Sequence, residues 1–317
     1  MKTLKKISRR YLKLKKEIRT EKPWLFRKSL EFIIDKNNPP ILVYQMGKVG
    51  STSVVHSLRN SGLMNPVYHT HQLSYEGIDK NIEINRERLF QNRNNKKLDD
   101  HTRVYTELFV KYVIRKLKND RLLRKKIDKN FDSINWKIIT LVRDPVMREI
   151  SNFFFTFHKH PEIVGKKEQL LNETSLRVLK DDLNKRLGGG EDWSLTWFDR
   201  ELKKVFGVDM YRFPFDHENG YTLIHSKNIS ILVIKLEELG RCFSGAIFEL
   251  LNKENLNLTN SNVAGKKFYY NTYRYVLENL TLDSHFCKKI YSSKYARHFY
   301  TNDELKIFMR KWSGRQV

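Results

Sequence analysis

The sequence predicts an α/β protein with three layers, in which a mostly parallel sheet is flanked by helices on both faces. Three observations predict it. Short apolar runs alternate with helix-patterned stretches from residue 41 onward. The run Trp136 to Val142, WKIITLV, lacks the polar alternation of a half-exposed strand and reads as a strand buried on both faces. Residues Pro39 to Asn60 read as strand, tight glycine loop and helix start. At 317 residues, 40% hydrophobic and 12% aromatic, the chain is long and apolar enough to bury one large core.

Residues 1–38 are expected to form a basic helical arm. Leu4, Ile7, Leu12, Leu14 and Ile18 give it a loose apolar stripe, and the first 30 residues carry twelve Lys or Arg against Glu17 and Glu21. Such a helix packs on the domain or lies on an anionic membrane surface. Pro39-Pro40 ends it, because proline disfavours helix in the residue before it, and residues 39–317 follow as a single domain. Ile41–Gln45 is a strand and 51–61 a helix. Residues 66–71 are a second strand, and 81–130 are polar and helix-prone. After the strand at 136–142, Pro145 suits a first helical position, and the helix runs through EISNFFFTF. Residues 165–200 look less regular and include a mobile loop at Gly188-Gly189-Gly190. Strands at 221–225 and 229–236 surround Ser226-Lys227-Asn228, a helix follows at 240–252, and the last third is helical. Thr301 and Glu304 form a capping box for the final helix.

Composition narrows function. Two cysteines, Cys242 and Cys287, supply neither a disulfide framework nor metal-ligand spacing. No apolar run approaches the ~20 residues that span a bilayer, and the N-terminus lacks the apolar stretch of a signal peptide. These features lead us to expect a cytoplasmic protein that uses no metal. The net charge of +24 suits a polyanion: nucleic acid, an anionic membrane, or an anionic small molecule or glycan.

Two segments look built for phosphate. In the first, Gly47-Lys48-Val49-Gly50-Ser51-Thr52-Ser53 joins a strand to a helix N-terminus, where free N–H groups and the helix dipole favour an anion. Lys48 supplies charge, and the three hydroxyls add donors. The segment departs from the Walker A pattern, whose lysine follows the second glycine. A plain helix cap at Ser51 or Thr52 is the simpler reading. In the second, Arg143 ends the buried strand, with a guanidinium suited to bidentate phosphate contact. Ser151 follows eight residues later, roughly 9 Å along the helix from Pro145. Taken alone, the segment is better read as Arg143 pairing with Asp144 or a C-terminal carbonyl and Ser151 as a helix-surface residue.

The pair of segments, in this order and spacing, resembles the PAPS-dependent sulfotransferase superfamily. Its strand–loop–helix holds the 5′-phosphosulfate, and its Arg with a Ser eight residues on holds the 3′-phosphate. The resemblance implies a P-loop NTPase-like sulfotransferase fold, PAPS as donor and a role for Lys48 on the leaving group. Val233-Ile234-Lys235-Leu236-Glu237-Glu238-Leu239 is similar to that superfamily's strand ending in an acidic pair. Trp197-Phe198-Asp199, Phe206-Gly207-Val208-Asp209, Pro214-Phe215-Asp216 and Ser293-Lys294-Tyr295-Ala296-Arg297-His298-Phe299-Tyr300 resemble a bacterial family of capsular polysaccharide synthesis proteins, over roughly residues 39–312. Tyr68-His69-Thr70-His71-Gln72-Leu73-Ser74-Tyr75 is similar to a stretch of heparan-type 2-O-sulfotransferases whose second histidine is the general base. That role falls here on His71, with His69 or an unassigned carboxylate as alternatives. Lys266 and Lys267 stand where many sulfotransferases close a basic loop over the 3′-phosphate, although a solvated charge pair is an equal reading. Trp193 and Trp197 are either sugar-stacking platforms or core residues.

The expected function is sulfuryl transfer from PAPS to a hydroxyl of a carbohydrate, most naturally a polysaccharide, without specific nucleic-acid binding. Two rivals are a nucleotide-dependent kinase or glycosyltransferase using the same loop, and a non-enzymatic basic binder of nucleic acid. The first lacks an acidic Mg²⁺-binding motif, and the second lacks any nucleic-acid-binding motif.

Overall fold

The computed structural model describes residues 38–94, 100–156, 168–188, 193–259 and 269–314. The basic arm, apart from Asn38, lies outside the described residues, as do Gly189 and Gly190 of the triple glycine and both Lys266 and Lys267. Among the described residues the alternating elements build a five-stranded sheet in the order β2-β1-β3-β5-β4. Strands β1 (Ile41–Tyr44), β2 (Val67–Thr70), β3 (Trp136–Val142) and β5 (Ile229–Lys235) run parallel. β4 (Tyr221–Ser226) pairs antiparallel with β5 and forms one edge.

The burial of each strand follows its sequence. Every residue of β1 is buried, as is all of β3 except Lys137 and all of β5 except Ser230. Unbroken apolar runs of this kind belong in the interior of a parallel sheet. β4 buries only Ile224. Only Lys227 and Asn228 separate it from β5, too few for a crossover, so the chain must return antiparallel. Lys227 takes a left-handed φ of 52° in that tight connection.

Helix α1 (Ser51–Arg59) connects β1 to β2. The polar stretch that follows is two long helices, α2 (Tyr75–Asn94) and α3 (Asp100–Lys129). After β3 come α4 (Pro145–Thr156) and α5 (Glu168–Leu187). α5 corrects the irregular reading of 165–200. Its core contact runs through Val178, Leu179, Leu183 and Leu187, a helical stripe easily lost among charged neighbours. Next come α6 (Trp193–Trp197), a π-helical stretch Phe198–Lys203 and the short α7 (Lys204–Phe206). After the β4–β5 hairpin, α8 (Leu239–Leu251), α9 (Tyr270–Asn279), α10 (Ser284–Tyr291), α11 (Lys294–Phe299) and α12 (Asn302–Ser313) complete the described chain. The capping box at the start of α12 is formed in both directions. No helix among the described residues is long and apolar enough to cross a membrane.

Asp144 ties the C-terminal helices to the sheet. It is 1% exposed and directly follows Arg143 at the end of β3. Its Oδ1 accepts from Val146 N (3.1 Å) and Tyr291 Oη (2.8 Å), and its Oδ2 accepts from Trp312 Nε1 (3.1 Å). Burial raises its pKa, and these donors work against that rise by stabilising the carboxylate. Next to it, the Lys235 ammonium at the end of β5 donates to Glu304 of α12 at 2.7 Å, with the lysine side chain 1% exposed.

Replacing Asp144 by alanine strands three buried donors from three elements. Asp144→Ala is therefore expected to cost about 3 kcal/mol of unfolding free energy in urea denaturation, with Asp144→Asn costing less. A loss below about 1 kcal/mol for the alanine variant contradicts this role.

Candidate functional site

The chain passes from β1 to β2 on one side, while β3 lies on the other side of β1. The strand order thus reverses between β1 and β3, and in open α/β sheets such a reversal leaves a ligand crevice at the carboxyl ends of the strands. Strand register then decides which residues meet there. Ile41 pairs with Lys137 and Val43 with Ile139, so extending the register sets Arg143 level with Gly47. The same extension sets Gln45 level with His71, and Asp144 with Glu237. Each juxtaposition brings a hydrogen bond, to the level residue or, for Arg143, to the next one. Arg143 NH1 donates to the Lys48 carbonyl at 3.0 Å, His71 Nδ1 lies 2.9 Å from the Gln45 carbonyl, and Asp144 N donates to Glu237 Oε1 at 2.9 Å.

The glycine loop is held from below and from the side. Met46 and Val49 are buried and pin it to the core. Lys48 adopts a left-handed φ of 72° and Gly50 one of 83°. For lysine that conformation costs roughly 1 kcal/mol or more, and such strain gathers at functional sites. Arg148 on α4, 7% exposed, donates through Nε to the Gly47 carbonyl at 3.0 Å and pairs with Glu149 through NH1. Two arginines therefore occupy two successive loop carbonyls. Among the described residues no backbone acceptor meets the N–H groups of Gly47, Val49, Gly50, Ser51 or Thr52. Gly50 provides no side-chain cap for α1, and no acid stands in its first turn. The start of α4 differs, because Asp144 already caps it. The opening of α1 is thus the available anion cradle of the two.

Ser51 is buried, and its Oγ is hydrogen-bonded to His69 Nε2 at 3.0 Å, whereas Thr52 is exposed and Ser53 half-buried. The Lys48 ammonium lies 4.2 Å from the centre of the Phe155 ring, at the far end of α4. Arg143 is steadied through its backbone, with Tyr295 Oη accepting from its N–H (2.9 Å) and donating to its carbonyl (3.0 Å). Its guanidinium has donors beyond the one spent on Lys48. Ser151 is half-buried three residues beyond Arg148, on the same face of α4.

The histidines stand at the end of β2. A carbonyl only accepts, so the proton of a neutral His71 sits on Nδ1, facing Gln45, and Nε2 keeps its lone pair. Burial lowers the His71 pKa well below 6.5, helped by the Lys116 and His69 charges and opposed by the Gln45 hydrogen bond. Burial likewise pushes His69 down to about 3, with Lys116, Arg59 and His56 adding. Both rings are therefore neutral at pH 7. The loop that follows them hangs on Glu201 of the π-helical stretch, a carboxylate 1% exposed. Its Oε2 accepts from Tyr44 Oη (2.6 Å), Leu73 N (2.8 Å) and Ser74 N (2.9 Å), and its Oε1 accepts from Ser74 Oγ (2.6 Å).

Of the two readings open for the tryptophans, Trp197 takes the core one. Trp197 is fully buried, packs edge-on against Tyr44 at 4.8 Å between centroids and donates its Nε1 to the His71 carbonyl at 3.0 Å. With no ring face open it serves the core and the histidine loop, not a sugar. Trp193 is half-buried against the same core. Sequence reasoning missed Arg148, Glu201 and Asp120. Arg148 carried a signal, five residues beyond Arg143 in the same segment. Glu201 reaches its partners across more than 120 residues, and Asp120 sits in an unremarkable charged helix. Asp120 is 6% exposed, and burial raises its pKa to about 7, opposed by Lys116 and a hydrogen bond from Thr70 and reinforced by Glu201.

These shifts have opposite signs in a pH titration of stability. Below pH 6.5 an unfolded His69 binds a proton that the folded state refuses until about pH 3, so acidification destabilises. Asp120 binds its proton in the folded state from about pH 7, against 3.8 unfolded, so acidification through that window stabilises. Urea denaturation between pH 4 and 7 should show the stability advantage of wild type over His69→Gln shrinking as pH falls. The advantage over Asp120→Asn should grow instead, each with a slope of at most about 1.4 kcal/mol per pH unit. Parallel curves contradict the assignment.

Against known families, a model described as "Putative capsular polysaccharide synthesis protein" matches residues 173–301. The match is narrower than the 39–312 expected from the aromatic landmarks. It contains Glu201, Glu237, Tyr291 and Tyr295 but neither the glycine loop nor Arg143. No curated protein and no solved structure matches the chain. The chain is thus similar to that family over this segment.

Proposed function

We propose that this chain is a sulfotransferase that moves a sulfuryl group from PAPS to a hydroxyl of a carbohydrate acceptor, on a sheet of the P-loop-like sulfotransferase type. The observation that carries this reading is the register at the β1–β3 reversal. It gathers an uncapped helix start, Lys48, Arg143 and His71 at one edge of the sheet. The partial match to a capsular polysaccharide family supports a carbohydrate acceptor.

The loop fits a phosphosulfate by its donors. Its N–H groups from Gly47 to Thr52 and the hydroxyls of Ser51, Thr52 and Ser53 would hold the 5′-phosphate, and Arg143 with Ser151 the 3′-phosphate. The donor, when bound, supplies a sulfuryl group already joined to a good leaving group. His71 Nε2 takes the proton of the acceptor hydroxyl as its oxygen bonds to sulfur in line with the breaking S–O bond. Lys48 and the loop N–H groups stabilise the negative charge that gathers on the departing phosphate oxygen. Lys48 reaches that position by leaving Phe155, an exchange of a modest cation–π contact for a full anion.

Thermal-shift measurements against PAP, ADP, ATP and UDP-sugars test the reading, with stabilisation expected from PAP alone. Stabilisation by ATP or a UDP-sugar in preference to PAP, or by none, overturns it. Lys48→Ala should abolish transfer without lowering the melting temperature. Arg143→Ala should weaken PAP binding by about 1.5–3 kcal/mol, the range for a hydrogen bond to a charged group.

A further inference from the structure

Helix α3 forms a second wall of this site. At one end Arg124 NH1 donates to the Leu73 carbonyl at 3.5 Å, and Tyr75 Oη donates to Asp128 at 2.8 Å, which docks α3 on the segment after His71. Toward the other end Phe109 meets Phe155 of α4 at 6.3 Å between centroids, and Phe155 carries Lys48. Phe109, Lys116, Asp120 and Arg124 recur at seven-, four- and four-residue steps, so they share one face of the helix. That face runs roughly 22 Å from the histidine loop to Phe155, with Lys116 about 10 Å from the Phe109 end. Lys116 is half-buried there, and its charge acts on His69, His71 and Asp120 alike. Asp120 lies one turn on, and burial raises its pKa to about 7, so it offsets the field of Lys116 only in part near neutral pH. Phe155 is 40% exposed and offers an aromatic face beside the loop.

We propose that Lys116 is the acceptor-recognition cation of this site, and that the acceptor is a carboxylate-bearing sugar chain laid along α3, with a ring against Phe155 and a hydroxyl at His71. The identity of that hydroxyl as an acceptor rests on the transferase reading above, whereas the binding itself does not. A carboxylate on the sugar forms a charge-assisted hydrogen bond with the half-buried Lys116, stronger than a neutral one and less screened than at the open surface. The aromatic face takes the apolar face of a pyranose, and the neutral His71 Nε2 is left to the hydroxyl.

The test is calorimetric titration of the full chain with a galacturonate hexamer and with maltohexaose, at about 150 mM salt to screen general attraction to a basic protein. Wild type should bind the acidic chain and bind the neutral one at least about tenfold more weakly. Lys116→Ala should weaken galacturonate binding by about tenfold and Lys116→Arg much less. Lys118→Ala, an exposed neighbour on another face, should leave it unchanged. PAP affinity, measured in parallel, should be the same in Lys116→Ala as in wild type. Equal binding of the two sugars, or equal losses in Lys116→Ala and Lys118→Ala, overturns the proposal. Failure of wild type to bind PAP overturns the transferase reading instead, and the Lys116 comparison still decides this one.

Discussion

Two hydrogen bonds from arginine to backbone shape the site, and the rest of the structure can be understood from what they require. Arg143 and Arg148 engage the carbonyls of Lys48 and Gly47. A peptide has two polar ends, so turning a carbonyl toward a buried guanidinium helps turn the neighbouring N–H groups the other way. The loop then offers donors to the crevice where an unrestrained loop would offer a mixture. Arginine suits this task because its charge persists and its fork is rigid. These bonds also help offset the left-handed backbone of Lys48, which puts the lysine at the turn between two glycines.

That arrangement depends in turn on where β3 ends. Arg143 meets the loop because β3 outruns β1, and it stays there because Tyr295 holds both polar groups of its backbone. Asp144, one residue on, gathers donors from α4, α10 and α12, while its own N–H is taken by Glu237 at the end of β5. The C-terminal helices are therefore the outer clamp of the site. Most of the clamp falls in residues 173–301, the segment that matches the capsular polysaccharide family model. That resemblance thus follows the scaffold around the glycine loop more than the loop itself.

Three buried acids near the site do different work because their surroundings differ. Glu201 accepts four hydrogen bonds and fixes the histidine loop; Asp144 accepts three and fixes the clamp. Asp120 has less support than either, and burial dominates its titration. The histidines beside it are kept neutral by burial and by Lys116, which suits a lone pair aimed at a substrate hydroxyl.

The sequence by itself determined the strands, the glycine loop and its helix, the Arg143 strand end and the capping box of α12. Each is written in a local pattern: unbroken apolar runs, glycines flanking a lysine, a Thr three residues before a Glu. The resemblance of Tyr68–Tyr75 to a sulfotransferase stretch also brought His69 and His71 forward. Only the tertiary structure decided that α5 is a helix, since its core face is a valine and three leucines in a polar stretch. Only the fold, too, made Trp197 a core residue, paired Arg148 with the loop and tied Glu201 to the segment after His71. These relations join residues far apart in the chain, through a strand register and a π-helical turn that no short window of sequence encodes. A hydrogen bond between distant elements is chosen by the packing of the whole sheet, so it becomes legible only once the sheet is built.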